Sequence, residues 1–355
     1  MKIPAAELKK SLKLLSPVHT EDFHIGPHGI AAKDSDVWVV VDSPLSELGS
    51  FTVNGKSLSR VVSRMAGTVE LTADELSLTL RSTKAEIRLE TKPAKPPVLP
   101  AKPENILTLN TAEFKKAVSL AVGSASTHKS APFGGCVQFQ TLATGIEEET
   151  YTGYRVVGTD GKVCTVATAP GSLPFGATAL LNLTAASVVQ LLETDTFEFG
   201  PGDPYYLKSG GLTVYATKPD QQYPGISPLL ANTPTLVFQF NPEEWLAAYR
   251  TVEPIIEPNE MENHVTLQFT DGVVQFISQG TGSTAKDEAG YEQLEPDPLL
   301  EPTGITLVMR ADHLSGFLSK ASGAATLSFS RMDKPLKLES AGVQVLTFPR
   351  KGSKK

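Results

Sequence analysis

The chain has 355 residues, of which 40% are hydrophobic and 20% are charged, and its formal net charge is -7. This composition is typical of a globular protein of two or three domains, and it argues against a simple basic nucleic-acid coat. Two cysteines exclude a disulfide scaffold and favour a reducing, cytoplasmic location. No apolar run approaches the roughly 20 residues of a membrane helix, so we expect no membrane partner.

One repeated pattern is a short apolar strand, a capping or proline residue, a glutamate, a large apolar residue and then an amphipathic helix. It occurs at residues 2–18, 107–123 and 238–254. The large apolar residues are Leu8, Phe114 and Trp245. Because internal repeats usually mark repeated structural units, each copy predicts the first helix of one domain.

A second pattern consists of a strand, a polar cap, a helix, a small break and another strand. It covers residues 51–73, 179–201 and 306–330. The apolar anchors of its helices are Leu58, Val188 and Leu314. The residues predicted to cap the helix N-termini are Asn54, Thr184 and Asp312.

Outside these helices, apolar and polar residues alternate between Gly, Asp and Asn turns, which predicts antiparallel sheet. In VVGTDGKVCT, residues 156–165, Asp-Gly supplies the turn of a hairpin. Proline-rich stretches at 91–105 and 229–235 predict domain boundaries. We therefore expect an α+β fold of three domains, each with two helices on antiparallel sheets. Their predicted bounds are 1–103, 104–231 and 232–355.

Segments of the second and third predicted domains resemble, in order, one known family. VVGTDGKVCTVA (156–167) is similar to a hairpin of its second domain, and QQYPGISPLL (221–230) to the segment that closes that domain. Residues 265–292 match a strand pair and the strand after it, and residues 311–322, 333–340 and 343–350 match the last helix, the turn after it and the final strand. The family is the bacterial-type DNA polymerase sliding clamp, the beta subunit or processivity factor. Domain one lacks the family's Pro-Ile-Leu segment, a divergence that suits a bacteriophage-encoded member.

The resemblance implies a head-to-tail ring of two identical chains, with six domains in all and with helices lining the central hole. Such a ring encircles double-stranded DNA without reading its sequence, tethers the replicative DNA polymerase, and is opened by a separate clamp loader. It implies no catalysis, no cofactor and no metal.

The charge pattern agrees with a DNA-facing helix in domain one. Lys56, Arg60 and Arg64 recur at every fourth position, which puts three cations on one helix face with no acidic residue between Gly55 and Gly67. Lys and Arg bind phosphate independently of base sequence. The other predicted DNA-binding residues are Lys9, Lys13, Lys115, Lys116, His128, Lys129, Arg250 and Lys320. The alternative is a solvated helix face.

The resemblance also implies a partner-peptide pocket between domains two and three. Its predicted residues are Thr159, Gly161, Lys162, Val163, Cys164, Pro228, Leu229, Ala231, Val345, Leu346, Phe348, Pro349 and Arg350. The pair Val163 and Cys164 departs from the family's Arg-Leu, so we expect a reshaped pocket. At the subunit joint, Ile87 and Leu89 match an edge-strand pair of the family, and Ile255 and Ile256 are predicted opposite them. The alternative is that these four are core residues.

Two other classes of protein fit the sequence less well. An enzyme would draw on Asp312 with His313, on His128 or on Cys164, but these lie on different repeats with no nucleophile elbow, metal-ligand spacing or phosphate loop. A repeat-built structural protein, such as a virion component, would not need a cationic helix face. We therefore expect a DNA-binding protein without catalytic activity.

Overall fold

The computed structural model describes residues 1–34, 36–74, 76–126, 135–144, 151–170, 178–217, 223–230, 234–256, 263–280, 283–294, 304–330 and 334–347. The chain folds into two compact units, each of which joins separate stretches of sequence. Unit 1 comprises Met1–Lys116, Gln138–Thr152 and Gly171–Asp220. Unit 2 comprises Ala117–Val137, Gly153–Pro170 and Gln221–Lys355.

The described residues form seven α-helices, which are α1 Ala5–Leu15, α2 Gly55–Arg64, α3 Thr111–Val122, α4 Leu183–Val189, α5 Ser227–Leu230, α6 Pro242–Val252 and α7 Ala311–Leu318. Two 3-10 helices span Pro44–Leu48 and Glu253–Ile255. None of the helices in this part of the chain has the length and apolar character to cross a membrane.

The strands of the first half are β1 Lys2–Pro4, β2 Asp22–Gly26, β3 Gly29–Lys33, β4 Val37–Val41, β5 Phe51–Asn54, β6 Thr68–Ala73, β7 Ser77–Arg81, β8 Glu86–Pro93, β9 Leu107–Asn110, β10 Cys136–Thr144, β11 Tyr151–Thr159 and β12 Val163–Pro170. Those of the second half are β13 Thr178–Asn182, β14 Thr196–Gly200, β15 Tyr205–Ser209, β16 Leu212–Ala216, β17 Leu236–Phe240, β18 His264–Thr270, β19 Val273–Gly280, β20 Ser283–Gly290, β21 Glu292–Leu294, β22 Thr306–Arg310, β23 Ala325–Phe329, β24 Leu336–Ser340 and β25 Val343–Thr347.

Unit 1 is built on a twelve-stranded sheet in the order β1-β6-β7-β8-β5-β2-β3-β4-β16-β15-β14-β9. Its strands pair antiparallel, for example β4 with β16 and β9 with β14. A cluster of phenylalanine rings anchors α3 to this sheet, with Phe114 within 5.0 Å of Phe197 and Phe139 within 4.9 Å of Phe199, measured between ring centroids. Such aromatic contacts bury large apolar area and fix the position of the helix.

Unit 2 contains two sheets. Seven strands lie in the order β11-β12-β25-β24-β23-β17-β21, and four more lie in the order β20-β19-β18-β22. Trp245 of α6 is fully buried, stacks on Phe240 at 3.7 Å between ring centroids, and donates its indole N–H to the carbonyl oxygen of Gly290 at 3.0 Å. The tryptophan thus satisfies its polar group while it fills the core.

The repeated helix pairs lie where the sequence predicts them. The first pattern forms α1, α3 and α6, and the second forms α2, α4 and α7. The six predicted anchors are all 0% exposed, namely Leu8, Leu58, Phe114, Val188, Trp245 and Leu314. Together with the antiparallel sheets, this confirms the predicted α+β fold.

The predicted helix caps are right in one case of three. The Asn54 side chain accepts a hydrogen bond from the backbone N–H of Ser57 and caps α2. Helix α4 is capped by Asn182 rather than Thr184, because the asparagine sits directly before the first helical residue. Helix α7 begins after Arg310 without a side-chain cap, and Asp312 lies inside its first turn.

Gly158 lets α3 lie directly against β11 in unit 2. A Cβ atom at this position would come within 1.8 Å of the carbonyl oxygen of Ala121 and 2.5 Å of its carbonyl carbon. Both neighbours are backbone atoms, so no side-chain rotation could relieve the clash. Glycine therefore fixes the spacing of helix and strand here.

Candidate functional site

The cationic stripe of α2 is exposed as predicted. Lys56, Arg60 and Arg64 are exposed, while Leu58 and Val62 on the opposite face are buried. Within the described part of the chain, none of the three cations forms an ion pair. Three unpaired positive charges on one face, spaced at single turns, form a surface that can contact successive phosphates.

The other predicted DNA-binding residues differ in their surroundings. Four are exposed, namely Lys9, Lys13, Lys116 and Arg250. Lys115 is half-buried and donates from Nζ to the carbonyl oxygen of Leu192 at 2.9 Å, which occupies one of its donors. His128 and Lys129 lie outside the described residues.

The hairpin between β11 and β12 closes through a turn held by side chains. The carboxylate of Asp160 accepts from the backbone N–H groups of Lys162 at 2.8 Å and Val163 at 2.9 Å. Thr159 donates its hydroxyl to the carbonyl oxygen of Val163 at 2.6 Å. Gly161 has a φ of +86°, a conformation that favours glycine. Thr159 and Gly161 therefore shape the turn.

The last strand, β25, pairs antiparallel with β12, which brings the two segments together as the resemblance implied. Val163 lies opposite Thr347, Cys164 opposite Leu346, and Thr165 opposite Val345. Because side chains alternate along a strand, this register divides the predicted pocket residues between two faces.

The face of the β12–β25 strand pair that carries Val163 and Val345 lines a cavity of about 340 Å³ in unit 2. We refer to this cavity as the groove. Its other walls are the C-terminal end of α3 and one side of α7. On α7 the lining residues are Asp312, His313, Gly316 and Phe317, whose spacing repeats with the helical turn, and Lys320 lines the groove just after the helix ends. Lys162 lies at the mouth of the groove and is exposed.

Cys164 and Leu346 do not line the groove, although both were predicted to face a bound peptide. They are 5% and 3% exposed, respectively, on the opposite face of the strand pair. Burial raises the pKa of the Cys164 thiol to about 12, against the opposing effect of Arg155. A thiol held so firmly in the neutral form is not a nucleophile. Burial likewise raises the pKa of Cys136 to about 11.

Helix α5 holds the predicted residues Pro228, which is exposed, and Leu229, which is half-buried. Upstream of this helix, the Tyr223 hydroxyl donates to the carbonyl oxygen of Val157 at 2.8 Å, which fixes this segment to β11. The remaining predicted pocket residues, Ala231, Phe348, Pro349 and Arg350, lie outside the described residues.

Lys320, which is also a predicted DNA contact, lines the groove. Its side chain is half-buried, and Nζ donates to the carbonyl oxygen of Ser119 at 3.3 Å. Burial lowers the pKa of the Lys320 ammonium group. The sequence alone does not indicate which surface of the fold a basic residue near a helix end belongs to.

Arg310 and His313 are groove residues that the sequence analysis did not assign to a partner site. Arg310 binds the Asp312 carboxylate through Nε at 3.0 Å and Nη2 at 2.5 Å. Burial alone would raise the pKa of Asp312, but the bonds from Arg310 and the charge of His313 hold it below its usual value. Burial lowers the pKa of His313, whose Nδ1 lies 3.2 Å from the Thr347 hydroxyl. The helical spacing of residues 313 to 320 was the feature of the sequence that could have predicted their common position in the groove wall.

Two strand segments have an open side. Residues 86–90 of β8 pair with β7, whereas β5 pairs only with residues 91–93. Ile87 and Leu89 are half-buried on this segment. In unit 2, β20 is the terminal strand of its sheet, and the 3-10 helix with Ile255 contacts it. Ile255 and Ile256 are half-buried too, so all four predicted joint residues retain accessible apolar surface.

No group of three or more His, Cys, Asp or Glu side chains in the described ranges is placed to hold a metal ion. Asp312 and His313, the candidate reactive pair, are adjacent in α7, but the Asp312 carboxylate is bound to Arg310. The pair is therefore explained by local ion pairing in the groove wall.

No protein-family model matches the chain, and a search of curated proteins finds no match. Solved structures do match. The chain is similar to the DNA polymerase III beta subunit of Thermotoga maritima, with 16% identity, a TM-score of 0.84 and 99% of both chains covered. It is equally similar to the sliding clamp of Bartonella birtlesii bound to griselimycin, with 17% identity, a TM-score of 0.84 and 99% of both chains covered. The sliding clamp of Bacillus subtilis matches with 16% identity, a TM-score of 0.83 and coverage of 99% of this chain and 98% of that one. The chain therefore has the fold of the DNA polymerase III beta subunit, the sliding clamp.

Proposed function

We propose that this protein is a DNA polymerase sliding clamp, which encircles duplex DNA and tethers replication proteins to it. The observation that carries the proposal is the match to known clamps over 99% of both chains at a TM-score of 0.84. The helix pairs support a division into three clamp domains, 1–103, 104–231 and 232–355. The role requires no chemical step, so we expect no ATP hydrolysis by the pure protein.

The DNA-facing surface is proposed on the cationic stripe of α2, with Lys9, Lys13, Lys116 and Arg250 as further contacts. These side chains are exposed, and phosphate contacts made by Lys and Arg are independent of base sequence and weaken with salt. The net charge of -7 would keep the remaining surface away from DNA. Persistence on DNA would then come from topology, which leaves the ring free to slide.

The ring is proposed to close by strand pairing between two chains. The open side of residues 86–90 in β8 would pair with the open side of β20 in a partner chain, which satisfies the backbone groups of both strands. The half-buried side chains of Ile87 and Leu89 would then meet those of Ile255 and Ile256. Two chains of 37.9 kDa would supply six domains.

The tethering site is proposed at the junction of the β11–β12 hairpin with β25. The register of β12 with β25 supports this site, as does the groove that Val163 and Val345 line. A volume of about 340 Å³ lies at the lower end of the range usual for ligand sites and suits the side chains of a short peptide.

Topological binding can be tested without a clamp loader, because a ring can thread over a free DNA end. The protein is mixed with linear duplex DNA that carries biotin at both ends, and streptavidin is added either before or after mixing. We expect salt-resistant retention only when streptavidin is added after mixing. Equal retention in both orders would contradict encirclement.

The DNA-facing surface is tested by replacing Lys56, Arg60 and Arg64 together with alanine. Because each phosphate contact contributes about 0.9 to the slope of log K against log salt concentration, the variant's slope should be shallower by nearly three units. A matched control replaces three exposed lysines elsewhere, Lys208, Lys286 and Lys334. An equal loss of slope in the control would mean that binding follows net charge rather than this stripe.

A further inference from the structure

The groove joins an apolar floor to a charged rim. Leu120, Phe317, Val343 and Val345 line it and are all buried, with 2–6% of each residue exposed. Asp160, Lys162, Arg310, Asp312 and Lys320 also line it. A ligand that suits both parts carries an apolar side chain and a charged group close to each other.

The charges at the rim are not equally available to a ligand. Arg310 is bound at two points by Asp312, so its charge is matched inside the groove. The Asp160 carboxylate accepts two backbone N–H groups of its own turn. Lys162 and Lys320, in contrast, form no ion pair with any described residue. The sum over these five residues is one positive charge, on a chain whose net charge is -7.

Of the two unpaired cations, Lys320 is the one that would gain more from binding an anion. Lys162 is exposed, so water and salt screen its charge. Lys320 is half-buried, and its ammonium group has three donors, of which one reaches the Ser119 carbonyl oxygen at 3.3 Å. A partly desolvated ammonium group gains more from an anion than an exposed one does. The lowered pKa of Lys320 reflects the same burial.

We propose that the groove selects partner peptides that carry a carboxylate, and that Lys320 is the residue that makes the selection. The proposal rests on the proposed tethering function, since it specifies which segments the tethering site accepts. The carboxylate is that of an acidic side chain close to the apolar one, because the groove brings its buried apolar residues and its cations together. A preference for a free chain end alone would contradict this assignment. A DNA phosphate is the less suitable occupant, since it leaves the apolar floor without a partner.

The test measures binding of labelled peptides to the full-length protein by fluorescence anisotropy. The peptides Gln-Ala-Glu-Leu-Phe and Gln-Ala-Gln-Leu-Phe follow the form Gln-x-x-Leu-Phe that the family resemblance implies for partner peptides. Both are acetylated, and each is made with a free and with an amidated C-terminus. We expect the glutamate peptide with an amidated C-terminus to bind about tenfold more tightly than the neutral amide, as a hydrogen bond between charged groups allows. The two positions of the carboxylate distinguish a side chain from a chain end.

Variants test whether Lys320 is the residue that causes the preference for carboxylate peptides. Lys320→Met should remove the preference for carboxylate peptides over the neutral peptide, whereas Lys320→Arg should retain that preference. Lys334→Met removes one exposed charge outside the groove and should retain it too.

Equal binding of acidic and neutral peptides by the unaltered protein overturns the selection but leaves the tethering function in place. A Lys320→Met protein that keeps the preference overturns the role of Lys320. Binding of no peptide at all overturns tethering at this groove. If Lys320→Met weakens DNA binding and changes no peptide affinity, the residue serves DNA and the inference is wrong.

Discussion

Replacing Gly316 with leucine should fill the groove without disturbing the helix that forms its wall. Gly316 lines the groove on α7, and a Cβ atom built there meets no heavy atom within 4 Å apart from its own stretch of helix backbone. The new side chain would therefore extend into the space that a partner's apolar side chain is proposed to occupy.

Two free energies should change in opposite directions. A glycine in a helix is less favourable than leucine or alanine by about 0.5–1 kcal/mol, so the free energy of unfolding should rise by that amount. A partner that loses one buried apolar side chain loses about 1.5–3 kcal/mol, which corresponds to an affinity lowered about 10- to 100-fold. Gly316→Ala should produce the same stabilisation with a smaller loss of affinity.

Denaturant unfolding and anisotropy titration with the neutral peptide measure the two quantities. Ser319→Leu is the matched control, since it adds the same side chain to an exposed position at the end of the same helix, outside the groove. It should leave the peptide affinity unchanged. A stable Gly316→Leu protein that binds the peptide as tightly as the unaltered chain would refute the assignment of the groove.

Three further changes test the packing and the assembly. Gly158→Ala should lower the free energy of unfolding by about 1–3 kcal/mol, because its Cβ would collide with the backbone of Ala121. Chemical denaturation measures this change, and an unchanged midpoint would contradict the tight contact. Cys164→Arg should prevent folding, because it would bury an unpaired charge at a position that is 5% exposed. Circular dichroism would show the loss of structure, and a native melting curve would mean that the site is open. Ile87→Asp should convert a dimer to a monomer in sedimentation, and a persistent dimer would place the joint elsewhere.

The positions of the helices could be predicted from sequence because each is amphipathic and built around one large apolar anchor. Leu8, Phe114 and Trp245 fill the core at equivalent places in their helices, so the pattern and the packing agree. Capping was harder to predict, because several polar residues precede each helix and only the one next to its first turn has the required geometry. At α4 this was Asn182, two residues before the predicted Thr184.

The candidate site was only partly predictable, because it depends on strand register. The resemblance placed the hairpin beside the last strand, and the structure pairs them. Adjacent residues of a strand point to opposite faces, so a change of one residue in register exchanges the side chains that face the groove. Val163 faces the groove, whereas Cys164 does not. Lys320 was predicted as a DNA contact from its charge, and the hydrogen bond that holds it against the Ser119 carbonyl oxygen of α3 could not be predicted from the sequence.

The pairing of β12 with β25 also has a consequence for the newly synthesised chain. β12 ends at Pro170 and its neighbour begins at Val343, so about 170 residues must be translated between them. At about 5–20 residues per second, ribosomes need about 10 to 35 s for that stretch. Until then β12 presents an unpaired backbone edge, which is a template for wrong pairing. The period during which the nascent chain is open to misfolding at this strand is therefore set by the speed of translation.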